Sequence, residues 1–400
     1  MRSLIRDGRL AVIDSRGRRE EFGDGRGRAI AVRLRDRRTE WALLLNPQLA
    51  LGEAYMDGRL TLEEGDIAGL LELLTRNLRG GFGGWQWEVL NALRMRLQRM
   101  APPNSLSRAR RNVAHHYDLS GGLYDLFLDA DKQYSCAFFE TPNDTLEQAQ
   151  TQKRQRIAAK LLLKPNLRVL DIGSGWGGLA LHMARQSQVQ VTGVTLSEEQ
   201  LKIARERAAR SGLGDRTRFE FLDYRAVKGQ FDRIVSVGMF EHVGLAHYRE
   251  FFRRLAELLT DDGVALIHAI GRSDGPGATN AWIAKYIFPG GYAPALSEVL
   301  PAVEKSGLIV TDIEILRLHY AHTLAEWRRR FVANWERAKR LYDERFCRMW
   351  EFYLAGSEMA FRNQGHFVFQ IQLAKRIDSL PLVRDYMAFP SPAPQQRSAA

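Results

Sequence analysis

Arg168-Val-Leu-Asp-Ile-Gly-Ser-Gly-Trp-Gly-Gly-Leu179 is the stretch on which the fold turns. A short apolar run, Val169 to Ile172, carries Asp171 and breaks into Gly173, Gly175, Gly177 and Gly178; a helical pattern begins near Leu179. Strand, glycine turn and helix in succession open a nucleotide site at the carboxyl end of the first strand of an α/β sheet. The spacing is Gly-x-Gly-x-Gly-Gly, not the dinucleotide pattern Gly-x-Gly-x-x-Gly, and an acid stands two residues before the first glycine. That points to S-adenosylmethionine more than to a pyrophosphate, which uses the helix amino-terminus as an anion site. An ordinary glycine-rich strand–helix turn is the plainer reading, and on the loop alone both stand.

Working outward, the rhythm on the carboxyl side of the loop is that of a mostly parallel sheet with helices on both faces. Strands are expected at 189–194, 217–222, 231–237 and 263–270, with helices at 198–211 and 248–259. A further helix is read at 301–306, a strand at 308–316 and helical spacing across 322–363. Phe367-Val-Phe-Gln-Ile-Gln-Leu373 alternates and should close the sheet. On the amino side, a long helix from Leu146 to Leu163 leads into the loop strand. Residues 1 to about 95 read as a small α+β unit: strands at 10–13 and 29–34, strand or short helix at 41–45, helices at 49–56 and 67–74. Met100-Ala-Pro-Pro-Asn-Ser-Leu-Ser107 is the expected linker, Gly80 to Gly84 a break, and the proline-rich tail from Phe389 is expected to be disordered. The domains are therefore expected at 1–100 and 110–388, with a tail at 389–400.

The 400 residues are 45% hydrophobic and 10% aromatic, ample for a sizeable core. Two cysteines, Cys136 and Cys347, imply no disulfide framework. There is no membrane-spanning run and no secretion-signal pattern, so a cytoplasmic location is expected. The net charge of +11 fits nucleic acid, anionic phospholipid or plain solubility. Without a nucleic-acid motif beside the arginines near position 35, nucleic acid ranks low and an anionic membrane surface ranks higher.

Ligands of open α/β sheets lie beyond the carboxyl ends of the strands. Those ends carry Gly173 and Gly175, then Thr195 with Gln200, then Asp223-Tyr-Arg225, then Glu241-His242, then His268. Thr195 stands where many nucleotide folds place an acid for the ribose. For Glu241 and His268 three readings are open: metal ligands, a general-base pair, or structural groups. A metal would need a third ligand, which these ends do not offer.

Six stretches then carry a resemblance: Ala114-His-His-Tyr-Asp-Leu119, Gln133-Tyr-Ser-Cys-Ala137, Val169 to Gly177, Gly193-Val-Thr-Leu-Ser197, Met239-Phe-Glu-His-Val-Gly244 and Trp282 to Gly291. Residues 110 to about 373 resemble the cyclopropane-fatty-acyl-phospholipid synthase family, which includes the mycolic acid cyclopropane synthases. The resemblance implies an α/β, class I methyltransferase (Rossmann-like) fold with a seven-stranded sheet, preceded here by the small amino-terminal domain. It implies S-adenosylmethionine as one-carbon donor, a cis-alkene of a membrane phospholipid as acceptor, and bicarbonate as catalytic base. The base positions carried over are Cys136 and Ile270 through their backbones, and Glu241, His268 and Tyr320 through their side chains; His319 and His322 make the last an atypical setting. The donor positions are Tyr134, Ser135, Asp171, Gly173, Gly175, Thr195, Leu196, Gln200, Tyr224 and Arg225. Phe138, Trp282, Tyr286 and Phe288 are expected to line the acyl pocket. A homodimer is implied by the resemblance alone, as is peripheral attachment to the inner membrane face. One departure is Ser357, where many members have cysteine; a hydroxyl is a far weaker nucleophile, so a covalent role there is not expected. Two rivals remain: methyl transfer without ring closure, and a non-catalytic lipid-binding homologue.

Overall fold

The computed structural model describes residues 5–78 and 121–387. The expected linker, the 80–84 break, the 114–119 motif and the tail from Phe389 lie outside the described residues.

The amino-terminal unit is a four-stranded sheet in the order β2-β1-β3-β4, with β1 Arg9–Ile13, β2 Arg19–Phe22, β3 Ala29–Leu34 and β4 Leu60–Glu64. Between β3 and β4 stand α1 (Arg37–Leu45) and α2 (Pro47–Met56), and α3 (Ile67–Asn77) follows β4. The ambiguous stretch 41–45 is helical because Asp36 caps it, accepting from the Thr39 amide at 2.7 Å. Pro47 then starts a second helix at a position where its missing N–H costs nothing.

After α4 (Gly121–Tyr124), α5 (Leu146–Lys160) opens with a capping box between Thr145 and Gln148. It leads into β5 (Arg168–Ile172), α6 (Gly178–Ser187), β6 (Gln190–Thr195), α7 (Glu198–Arg210), β7 (Thr217–Phe221), β8 (Phe231–Val237) and α8 (Tyr248–Leu258). Then come β9 (Leu259–Arg272), α9 (Ala281–Tyr286), α10 (Leu296–Glu304), β10 (Ile309–Leu316), α11 (His319–Ala333), α12 (Trp335–Leu341), α13 (Glu344–Asn363) and β11 (His366–Ala374). The seven-stranded sheet runs β10-β11-β9-β8-β5-β6-β7. Its strands are parallel except β11, which is antiparallel to both neighbours. The chain leaves β5 through β6 to β7 and returns to β8 on the other side, so the sheet changes direction at the glycine loop.

Two expectations are corrected. β11 does not end the sheet: it inserts between β9 and β10, and its alternating glutamines, Gln370 and Gln372, are buried, not solvent-facing. The helix read at 301–306 begins earlier, at Leu296, with Pro301 inside it. The span 322–363, read as helical, is divided into three helices.

The amino-terminal unit packs on the carboxyl-terminal half through helices. The Tyr55 hydroxyl donates to Glu351 at 2.6 Å, and Asn363 Nδ2 donates to Thr75 Oγ1 at 2.9 Å. Among the described residues no helix is long and apolar enough to cross a membrane.

Candidate active site

The loop after β5 turns through Gly173 and Gly177, at φ +82° and +79°, where only glycine is unstrained. A Cβ on Gly173 would also stand 2.9 Å from the Met239 Cβ. The turn leaves a cleft over the carboxyl ends of β5 to β8. All ten donor positions line it: Tyr134, Ser135, Asp171, Gly173, Gly175, Thr195, Leu196, Gln200, Tyr224 and Arg225. Ser197 caps α7 and presents Gln200, whose Oε1 accepts from Thr195 Oγ1 at 3.0 Å. Arg225 is held flat by two contacts of 2.8 Å to Asp223. Asp171 is 2% exposed, and among the described residues its Oδ2 has no hydrogen-bond partner. Burial pushes its carboxyl up to about 7. A buried, unsatisfied carboxylate oxygen facing a cleft suits a ligand that brings a cationic donor, as the methionine amine of S-adenosylmethionine does. The residues present thus fit the donor.

Behind the cleft the chain 134–139 is fastened from two sides. From α5, Gln150 Nε2 donates to the Gln133 and Ser135 carbonyls at 3.2 and 3.0 Å, and Lys153 Nζ donates to Ser135 Oγ at 2.8 Å. From α11, Thr323 Oγ1 accepts the Ala137 amide at 3.0 Å and His319 Nδ1 the Phe139 amide at 3.1 Å. Tyr134 and Ser135 therefore face the cleft while Cys136 is buried next to them, tied through Ala137 to the helix that carries Tyr320. Burial pushes the Cys136 thiol up, against a thiolate. Its amide donates no hydrogen bond among the described residues.

Glu241 sits in the turn after β8 and accepts the Ile270 amide at 2.7 Å, so that amide is already committed. Its other oxygen, Oε2, is buried and unsatisfied among the described residues. Burial raises the carboxyl to about 7 against the opposing pull of the Ile270 amide. His268 is 2% exposed, and burial, helped by the nearby cations Lys153 and Lys160, holds it neutral, well below 6.5. Gln370 decides its tautomer. The Gln370 Oε1 accepts from Lys160 Nζ at 2.6 Å, so Nε2 is the amide end that meets His268 Nδ1 at 3.0 Å. That leaves Nδ1 as acceptor and the ring proton on Nε2. Lys160 is in turn paired with Glu314.

None of the four residues expected in the acyl pocket lines the donor cleft itself, and two of them face the amino-terminal unit. Trp282 is 1% exposed and faces the amino-terminal unit, its Nε1 3.2 Å from Met56 Sδ and its ring against Phe352. Tyr286 donates to Glu53 at 2.7 Å on the same seam. The apolar pattern of a short helix does not say which neighbour it faces. Phe138 stacks on His319 at 4.4 Å, with the Arg156 guanidinium 4.1 Å from its ring. Phe288 lies between Tyr353 and His242, and His242 lines the cleft.

Reading the sequence missed Lys153, Lys160, Gln370 and Tyr353 as site groups. Lys153 is fully buried, and burial lowers it to about 7. The Tyr353 hydroxyl is 2.8 Å from that of Tyr134. A helical period with lysine on the inner stripe was the one available signal. Ser357, half-buried on α13, precedes Glu358, which accepts from Arg362 at 2.9 Å. Among the described residues no three His, Cys, Asp or Glu groups cluster as metal ligands would.

A seven-stranded sheet with this order and a donor cleft at its reversal define a class I S-adenosylmethionine-dependent methyltransferase. The comparisons narrow the class. Residues 104–371 match the family described as mycolic acid cyclopropane synthetase, and the chain belongs to that family. Residues 10–81 match a family described only as a domain of unknown function. A probable fatty acid methyltransferase of Pseudomonas putida is 39% identical, over 78% of this chain and 78% of that protein. The cyclopropane-fatty-acyl-phospholipid synthase of Escherichia coli K12 is 38% identical, over 84% of this chain and 86% of the relative. Among solved structures, the mycolic acid cyclopropane synthase CmaA1 complexed with SAH and CTAB is 34% identical with a TM-score of 0.63. That match covers 66% of this chain and 97% of CmaA1.

Proposed function

We propose that the protein transfers a methylene from S-adenosylmethionine to a cis double bond of an unsaturated phospholipid acyl chain, forming a cyclopropane ring. The observation that carries the reading is the turn at Tyr134–Cys136: Tyr134 and Ser135 line the donor cleft, while Lys153, bonded to Ser135, lies close enough to act on both the buried Cys136 and the buried His268. The E. coli relative's name supports the ring and the phospholipid; the P. putida name supports the methyl transfer.

In this reading the alkene carbon attacks the sulfonium methyl, the carbon–sulfur bond breaks, and a carbocation forms on the neighbouring carbon. An alkene is a weak nucleophile, so most of the catalysis is alignment in a dry site. Asp171 takes the donor amine, Thr195 and Gln200 the ribose, and Asp223 with Tyr224 the adenine. The aromatic faces of Phe288 and Tyr353 suit the cation, at about 0.5–2 kcal/mol each. Loss of a proton from the new methyl closes the ring.

Bicarbonate, when bound, supplies the base for that proton. The residues fit it: the Cys136 amide and the His268 Nε2–H are donors, and the Glu241 Oε2 is an unpaired acceptor beside them in role. Lys153, fully buried with Ser135 Oγ as its hydrogen-bond partner, adds positive potential on the same side. The acceptor lies in the membrane, so the protein works peripherally at its cytoplasmic face, and a homodimer is the assembly state consistent with the family.

The test is incubation of the pure protein with methyl-labelled donor and vesicles of unsaturated phospholipid, followed by analysis of the acyl chains. Label in cyclopropane chains is expected. Label in branched chains would sink ring closure, and no label in lipid would leave a non-catalytic lipid-binding protein.

A further inference from the structure

Helix α1 is built the wrong way round for a helix that only closes a core. Thr39 is its one buried residue, while Trp41, Leu44 and Leu45 are 64%, 68% and 79% exposed. At about 100° per residue, Arg37, Arg38, Trp41, Leu44 and Leu45 fall on one face about 120° wide. The opposite side, through Thr39 and the part-buried Leu43, holds the helix to the fold. Three large apolar side chains side by side on the surface mark an interaction site.

The charges say what partner fits. Several other arginines of this unit are matched, Arg18 to Asp14 at 2.8 Å, Arg28 to Asp66 at 3.1 Å and Arg33 to Glu63 at 2.6 Å, while the exposed Arg6, Arg9, Arg16 and Arg76 form no ion pair among the described residues. Arg35, Arg37 and Arg38, all exposed around the apolar face, form no ion pair among the described residues. Glu40, the acid on the same helix, spends Oε1 on the Ser15 amide at 2.8 Å. An apolar centre ringed by unmatched cations complements an anionic lipid surface.

The position also suits it. α1 packs on α2, and α2 grips α9 through Gly52 against Trp282 and through Glu53, which accepts from Lys285 and Tyr286, each at 2.7 Å. The chain after α9 reaches the donor cleft at Pro289 and Gly290.

We propose that the exposed face of α1 docks the protein on an anionic phospholipid bilayer, with Trp41, Leu44 and Leu45 entering the interface and Arg35, Arg37 and Arg38 meeting head-group phosphates. This rests on the reading of the acceptor as a bilayer phospholipid. The face is separate from the catalytic residues, so the two readings fail separately.

The experiment is co-sedimentation of the full chain with vesicles of phosphatidylcholine alone or mixed equally with phosphatidylglycerol, without donor. The variant W41S/L44S/L45S is expected to bind mixed vesicles at least about tenfold more weakly. The variant R35S/R37S/R38S is expected to lose the preference for phosphatidylglycerol and most of the salt dependence. Both should keep S-adenosylhomocysteine affinity, and turnover of detergent-dispersed lipid, within about twofold. Wild-type-like vesicle binding by the apolar variant overturns the proposal. So does a fall from dimer to monomer in that variant, which would give the face to a second copy of the chain. Loss of vesicle binding in the variants of a protein that methylates no lipid would keep the docking face and sink only the enzymatic reading.

Discussion

Gln370 lies directly across the β9–β11 ladder from His268, and its amide nitrogen is 3.0 Å from the ring Nδ1. Because Lys160 claims the other end of the amide, this pairing settles which ring nitrogen keeps its proton. Gln370→Leu is expected to cut turnover about tenfold or more by freeing the tautomer. Donor affinity should stay within about twofold, since Gln370 is outside the cleft. Stability should fall by about 1–3 kcal/mol from the buried partners left unpaired. Single-turnover kinetics with calorimetric titration of S-adenosylhomocysteine separates the effects; unchanged turnover would remove His268's tautomer from the mechanism.

Glu241 carries a pH signature. Its folded carboxyl is raised to about 7 by burial, so its ionised fraction grows as pH rises through that value. If the carboxylate is the working form, turnover should climb between about pH 6 and 8, by at most about tenfold per unit. Glu241→Gln should lower turnover by a large factor, leave donor binding near normal and flatten the profile. The stability sign is opposite: a raised acid favours the fold below its unfolded pKa, and that advantage is lost as pH rises through about 7. A pH–rate profile of the variant that still climbs would move the titration elsewhere.

Donor affinity should titrate as well, through Asp171. Its carboxyl is raised to about 7 by burial alone, and a cationic amine beside it would pull the proton off. S-adenosylhomocysteine should therefore bind more tightly as pH rises through about 7, by up to about tenfold per unit. Asp171→Asn should weaken binding above that pH and abolish the dependence. Calorimetry at three pH values checks both.

Two glycines on the seam between the units should respond with opposite signs. A Cβ on Gly52 would stand 2.3 Å from the Trp282 indole, which is backed by Phe352 and has nowhere to go. Gly52→Ala should cost about 1–3 kcal/mol. A Cβ on Gly356 would meet the nearest atom, Leu71 Cδ1, at 3.9 Å, an ordinary contact. Gly356→Ala should stabilise the fold by about 0.5–1 kcal/mol, because alanine has less backbone entropy to lose in α13. Urea midpoints of the two variants against wild type give the comparison.

The amino-acid sequence by itself determined what depends on neighbours along the chain. The β5–glycine–α6 turn follows from a short apolar run ending in glycines. The strand–helix rhythm follows from periodicity, and with it the crowding of strand ends around one cleft, because parallel strands bring their carboxyl ends to one edge. What only the tertiary structure decided is who faces whom across distance. β11 alternates in sequence like a half-exposed strand, yet its insertion between β9 and β10 buries Gln370 against His268 and Lys160. Lys153 looks like one more charge in a polar helix until α5 turns it under Ser135. Trp282 reads as pocket lining until α2 covers it. Conversely, Trp41, Leu44 and Leu45 look like core until the fold leaves them in solvent. Periodicity encodes which residues share a face. Which surface that face meets is set by contacts hundreds of residues apart, and no local pattern records them.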